Sequence, residues 1–376
     1  MNNIYIPANM PGSQMMSNMK YIPVSASNAP TPIGSTGNQY YPAYNRLDKK
    51  NVLSWWEERS FFRYDSMLVT AFYGMKWKSD FRSQFNIPDD FTLIGDSGGF
   101  QNMTQNADLD PLTVLRWQEA NCDIALTFDL PIFSNDTLQT KEYKLKQTAK
   151  NAIFALSKRQ NKKLKLYAVF QGHTAKEQTS MLNYYGDSIK DFDGIAIGGL
   201  VPIAGNTEKL VKILTLFCYN MKDYKKPVHF FGLSGNKIIP YIIYLSKKFN
   251  LHITFDSSSY GAGAIRREFW LGNGSKKINC MKEYYDKMPC DCPVCSVVKD
   301  WKVYQQDGSL AGGLISLHNL YQTLMFVKES QTKELNINIK YKKFIDVMHE
   351  HGPDKAFQIL DTLYETNTQQ QSLFSY

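Results

Sequence analysis

The sequence predicts an α/β fold, a (β/α)8 barrel of the TIM type with an inserted structural zinc-binding subdomain, and three observations lead there. Six short apolar runs each stop at a polar or glycine residue and are followed by a stretch of helical periodicity. Their spacing is roughly 25–40 residues, near the ~30 of a βαβ unit. The residues suited to chemistry stand at the ends of several different runs, as at a barrel mouth. A doubly wound sheet would gather them at one switch point behind a G-x-G-x-x-G turn, and no such turn follows an early run. Finally, Cys290-x-Cys292-x-x-Cys295 followed by His318 forms a compact metal-ligand pattern late in the chain.

In chain order, Leu93-Ile94-Gly95 runs into Asp96, Ile124-Ala125-Leu126-Thr127-Phe128 into Asp129, and 166–170 into Gln171. Gly194-Ile195-Ala196-Ile197 then leads to Gly198-Gly199, Val228-His229-Phe230-Phe231 to Gly232, and His252-Ile253-Thr254-Phe255 to Asp256. Helical patterns fill 111–120, 141–159, 175–185, 208–221 and 237–249. Eight strands need two more, and 55–82 and 309–315 are the segments left to supply them. Residues 1–45 hold Lys20 as the only charge before Arg46 and lack periodicity, so they read as an irregular arm. The barrel is expected over 46–366, with the zinc subdomain at about 275–325 and a frayed tail at 367–376.

Composition narrows the class. The 376 residues are 43% hydrophobic, and no run approaches the roughly 18 consecutive apolar residues of a membrane span. Without a basic, then apolar, opening, the expectation is a soluble cytoplasmic protein. The formal charge of +8 favours polyanionic partners. Three of the six cysteines fall within 290–295, which suits a metal site in a reducing compartment better than a disulfide framework. Cys122, Cys218 and Cys280 read as inert small hydrophobes.

The local chemistry is carried by acids at strand ends. Asp96-Ser97-Gly98-Gly99-Phe100-Gln101 joins a carboxylate to two glycines that admit a flat ligand and a phenyl ring to stack on it. Alone, it also fits an N-cap and a glycine turn. Asp129 and Asp256 stand on the same expected rim, and three acids there can divide the roles of nucleophile, acid/base and hydrogen-bond acceptor. Cys290, Cys292, Cys295 and His318 make an S3N set with no open position, a structural zinc staple. Arg266, Arg267, Lys276 and Lys277, interleaved with Trp270, form a candidate nucleic-acid grip.

Together, DSGGFQ (96–101), VFQG (169–172), AIGGL (196–200), FGLSG (231–235), TFD (254–256), CDCPVC (290–295) and HNLY (318–321) resemble the queuine/archaeosine tRNA-guanine transglycosylase superfamily, zinc-bearing (β/α)8 barrels that exchange guanine in nucleic acid for a 7-deazaguanine base. The resemblance implies Asp256 as nucleophile and Asp96 as general acid/base. It implies that Asp129, Gln171, Gly199 and the backbone at Leu200 read the base edge and that Phe100 and Phe231 hold its faces. By the same resemblance, Ser97, Gln101, Gly198 and Gly232 would complete that pocket.

Where tRNA-modifying members carry a Cys-Val-x-Pro-Thr-Arg-like stretch, this chain has Ser257-Ser258-Ser259-Tyr260-Gly261-Ala262-Gly263, which favours the DNA-modifying branch. The expectation is base exchange in DNA with a preQ0- or preQ1-like base, aided by duplex-opening helpers and with a homodimer as one possible assembly. Action on tRNA, a non-catalytic accessory subunit and an unrelated zinc-stapled barrel hydrolase stay open as alternatives.

Overall fold

Each of the six apolar runs is too short for a stable helix and is bounded by a residue that ends it. In the computed structural model all six become strands. The structure describes residues 19–23, 54–58, 60–76, 80–133, 135–233, 235–306, 309–332 and 337–359. The strands are β1 (Met19–Pro23), β2 (Ser66–Thr70), β3 (Thr92–Asp96), β4 (Ile124–Leu126), β5 (Lys165–Phe170), β6 (Gly194–Ile197), β7 (Val228–Phe230) and β8 (Ile253–Ser257). They form one eight-stranded sheet in the order β1-β8-β7-β6-β5-β4-β3-β2, parallel throughout. The outer strands β1 and β2 approach each other, so the sheet is a nearly closed barrel; among the described residues no ladder joins these two. Lys20 on β1 pairs with Asp65, which precedes β2, at 2.8 Å across that seam.

Side-chain alternation separates two cores. Leu68, Ile94, Leu126, Tyr167, Val169 and Ala196 form a small cluster of their own inside the barrel. The intervening residues, among them Leu93, Ala125, Ala168, Ile195, Val228 and Phe255, join the large core beneath the helices. Strands β6 and β8 are therefore buried on both faces.

The helices begin where the sequence offers caps. Asp110 accepts Thr113 N–H, Thr137 accepts Thr140 N–H, and Thr174 with Glu177 closes a capping box over Ala175–Tyr185. Among the described residues no helix is long and apolar enough to cross a membrane.

Two expectations need correction. The stretch 309–315 is not a strand: it opens the helix Ser309–Thr332. Its apolar pattern runs on through Leu310, Leu314, Leu317, Leu320, Leu324 and Val327, all buried at three- or four-residue intervals, so a helical stripe was cut short by too narrow a window. The eighth strand comes instead from Met19–Pro23, inside the arm read as irregular. Five residues carry no alternation that distinguishes a strand, and this one exists through its pairing with β8. The rest of the arm and the tail at 367–376 lie outside the described residues.

After β8 come the helix Ser259–Ile265 and an antiparallel hairpin, β9 (Glu268–Leu271) with β10 (Lys276–Asn279). Asn319 ties it to the barrel. Its Oδ1 accepts Trp270 N–H at 3.0 Å and its Nδ2 donates to the carbonyls of Glu268 and Tyr260 at 2.9 and 3.3 Å.

Candidate active site

The period of two along a strand decides which side chains enter the barrel mouth. Continuing the inward parity of Ile94, Val169 and Ala196 brings Asp96, Gln171 and Gly198 to the C-terminal rim. Asp96 lies close enough to Asp129 and Asp256 to feel both charges. Burial, then these two acids, push its carboxyl up to about 7, against the nearby Thr70 hydroxyl and Gly98 amide.

Asp129 is held on both sides. Ser97 Oγ donates to its Oδ1 at 3.0 Å and Gln171 Nε2 to its Oδ2 at 2.6 Å. Burial raises its pKa to about 6, opposed by those two hydrogen bonds. Gln171 is fully buried, and its Oε1 has no hydrogen-bond partner among the described residues. A buried acceptor in that state is costly unless something fills it, which marks the pocket as built for a donor. Gly99 is required beside it, because a Cβ there would sit 2.2 Å from the Asp129 carbonyl oxygen. Gln101 likewise keeps a buried Oε1 without a partner among the described residues.

Asp256 Oδ1 accepts from Gly232 N–H at 2.9 Å and faces His229 Nε2 at 3.0 Å. Gly232 has φ +67, and a Cβ would meet Val201 Cγ2 at 2.3 Å, so the loop that supplies this amide needs glycine. The His173 imidazole, its pKa lowered by burial, donates from Nε2 to Gly199 O at 2.6 Å and fixes that peptide next to the buried Leu200. Phe231 packs half-buried against the inner cluster. Phe100 is half exposed, edge-on to Phe133 at 6.3 Å, and forms an aromatic lip.

The cysteine corner lies in the inserted subdomain. One donor atom each from Cys290, Cys292, Cys295 and His318 falls within 4.8 Å of the others, so the group could hold a metal ion. His318 Nε2 donates to Trp270 O at 2.6 Å, which turns Nδ1 toward the sulfurs, and Phe269 stacks on the ring at 3.6 Å. Cys122, Cys218 and Cys280 are buried, and burial raises their thiol pKa values.

The expected basic grip is partly spent within the protein. Arg266 makes two hydrogen bonds with Glu268 at 2.8 and 3.0 Å, and Lys277 lies 3.9 Å from the same carboxylate and 4.7 Å over Trp270. Lys276 is exposed, and Arg267 occupies a left-handed turn at φ +59. Sequence reasoning missed His173 and His229. Each sits at or beside a strand end, and the inward parity of β7 and β8, shared by His229, Thr254 and Asp256, was the available signal.

The family model described as queuine tRNA-ribosyltransferase matches residues 89–333, well over half of the chain and inclusive of the three mouth aspartates and the cysteine corner. The chain belongs to the queuine tRNA-ribosyltransferase family. Similar proteins include the tRNA-guanine(15) transglycosylases of Methanococcus aeolicus, 26% identical over 62% of this chain and 36% of that protein, and of Methanococcus vannielii, 26% identical over 61% and 35%. The Aeropyrum pernix protein of the same name is 35% identical over 26% of this chain and 17% of its own length. The matched part of this queuine tRNA-ribosyltransferase family member thus corresponds to about a third of the Methanococcus relatives.

Proposed function

We propose that the protein is a guanine transglycosylase, a pentosyltransferase that exchanges guanine in tRNA for a 7-deazaguanine base through a covalent Asp256–sugar intermediate. The observation that carries this is the pocket around Asp129. Above pH about 6 its carboxylate has acceptor capacity left beyond Ser97 and Gln171, enough for the N1 and 2-amino hydrogens of guanine. Gln171 Oε1 stands ready for a further donor, and adenine offers no matching edge.

The chemistry follows from the three acids. An Asp256 oxygen forms a bond to C1′ as the bond from C1′ to the base breaks, and the base nitrogen that receives the electron pair takes the proton held by Asp96. The incoming base gives a proton back to Asp96, attacks C1′ and frees Asp256. A carboxyl with a pKa of about 7 suits both directions at neutral pH.

Two observations favour tRNA over the DNA substrate expected from the sequence. The similar proteins are named for tRNA. In addition, the stretch whose divergence favoured DNA belongs largely to a packing element here: Tyr260, Gly261, Gly263 and Ala264 are buried in the helix Ser259–Ile265.

Zinc fits the S3N corner: three thiols and one imidazole nitrogen whose tautomer is fixed from behind are the donors of closed structural sites. When bound, it would crosslink the 290–295 segment, which enters the helix Pro293–Val298, to the helix Ser309–Thr332. Incorporation of radiolabelled guanine into matched tRNA and DNA tests the proposal. Label in tRNA, lost in Asp256→Asn, is expected; label in DNA alone would overturn the tRNA assignment, and none in either would overturn the exchange.

A further inference from the structure

We propose that His229 is the positioning residue for Asp256, and that its hydrogen bond makes Oδ2 the oxygen that attacks the sugar. This rests on the transglycosylase reading and adds to it a residue and an atom.

Three contacts define the arrangement. His229 Nε2 lies 3.0 Å from Asp256 Oδ1, Gly232 N–H donates to the same oxygen at 2.9 Å, and His229 Nδ1 lies 2.8 Å from Thr254 Oγ1. Thr254 Oγ1 is also 3.3 Å from Val228 O. His229 is 1% exposed and Asp256 5%, so both side chains are buried. A carboxylate oxygen can only accept, so the proton of the contact resides on Nε2. The Thr254 hydroxyl, with a donor and two lone pairs, serves Nδ1 whichever way its own proton turns, so the ring stays oriented from behind.

The consequence is an asymmetric carboxylate. Oδ1 carries two donors, and among the described residues Oδ2 carries none. The freer oxygen is the better nucleophile, and it is held in a fixed direction by contacts on its twin. When Oδ2 bonds to C1′ and the base departs with the proton from Asp96, the carboxylate becomes an ester whose carbonyl oxygen is Oδ1, still held by His229 and Gly232. Both donors therefore support the intermediate as well as the attacking form.

Two measurements test this. In protein labelled with 15N-histidine, the His229 ring is the one of six histidines that disappears in His229→Gln. Its Nε2 should carry a proton whose shift moves in Asp256→Asn; a bare Nε2, or a signal indifferent to position 256, would overturn the contact without reference to activity. In guanine exchange, His229→Phe keeps a ring against Phe231 but has no donor. It should lower kcat by about 10²-fold, while His229→Gln, which restores an N–H, recovers to within about tenfold of wild type. KM for guanine should stay unchanged in both, because its contacts lie at Asp129 and Gln171. Equal kcat in the two variants, or a KM change as large as the kcat change, would reduce His229 to packing. A wild-type protein without exchange would sink the proposed function, yet the nitrogen spectrum would still decide the contact.

Discussion

Aspartates mark both ends of the barrel, and the two ends treat them in opposite ways. At the base, Asp65, Asp123 and Asp193 each stand one residue before a strand and each meets a cation: Lys20, Arg82 and Arg159. Asp123 and Asp193 also accept Leu93 and Leu166 N–H at 2.7 and 2.9 Å, which locks adjacent strands in register. At the mouth, Asp96, Asp129 and Asp256 have no lysine or arginine partner among the described residues. Burial and mutual repulsion raise Asp96, and burial raises Asp129. Charge at the base is neutralised, whereas at the mouth it is left unbalanced, as proton transfer and a sugar cation would require under the proposed exchange.

The sharpest break of this comparison is chemical. Asp256→Asn should abolish guanine exchange, by at least about 10³-fold in kcat, with the thermal midpoint little changed. Asp96→Asn should cost about 10²–10⁴-fold and at the same time stabilise the fold at alkaline pH. The sign follows from its raised pKa: with a folded value of about 7 against 3.8, the stability linked to Asp96 is fully present below the unfolded value and is lost as pH rises through 7. An amide that cannot ionise escapes that loss, so the excess in thermal midpoint of Asp96→Asn over wild type should be larger at pH 8 than at pH 5 and vanish below about pH 4, by differential scanning calorimetry.

At the base the same kind of change should do the reverse. Arg159→Leu leaves Asp193 without its cation and should cost about 1–3 kcal/mol in urea unfolding, while kcat per folded molecule stays put. Stripping metal with a chelator, or Cys295→Ser, should likewise lower the thermal midpoint, with stoichiometric metal loss measured by elemental analysis. The smallest effect is on pH dependence: KM for guanine should rise as pH falls through about 6, where Asp129 takes up a proton and can no longer accept the N1 hydrogen. A flat KM between pH 5 and 7 would remove Asp129 from base recognition.

Much of this was readable in the chain. All six strands that end in a candidate residue were visible, because a fully buried parallel strand must be a continuous apolar run and must stop where its side chains reach the mouth. The cysteine spacing announced its own site, since ligands close in sequence need little help from the fold to converge. The nucleic acid was read less well. Most of the stretch from Ser257 to Gly263, whose divergence favoured DNA, lies in the helix Ser259–Ile265 packed against Ser309–Thr332, and burial cannot be seen in composition alone.

The sequence by itself determined the strand–helix alternation, the acids at the strand ends and the S3N ligand set, because each depends on short-range spacing. Only the tertiary structure decided that Met19–Pro23 is a barrel strand, that 309–315 is helical, and that His229 stands behind Asp256 with 26 residues between them in the chain. Those outcomes depend on pairing register and on which face of a strand looks inward. Register is a property of two strands together, and it places side chains distant in sequence within hydrogen-bond reach.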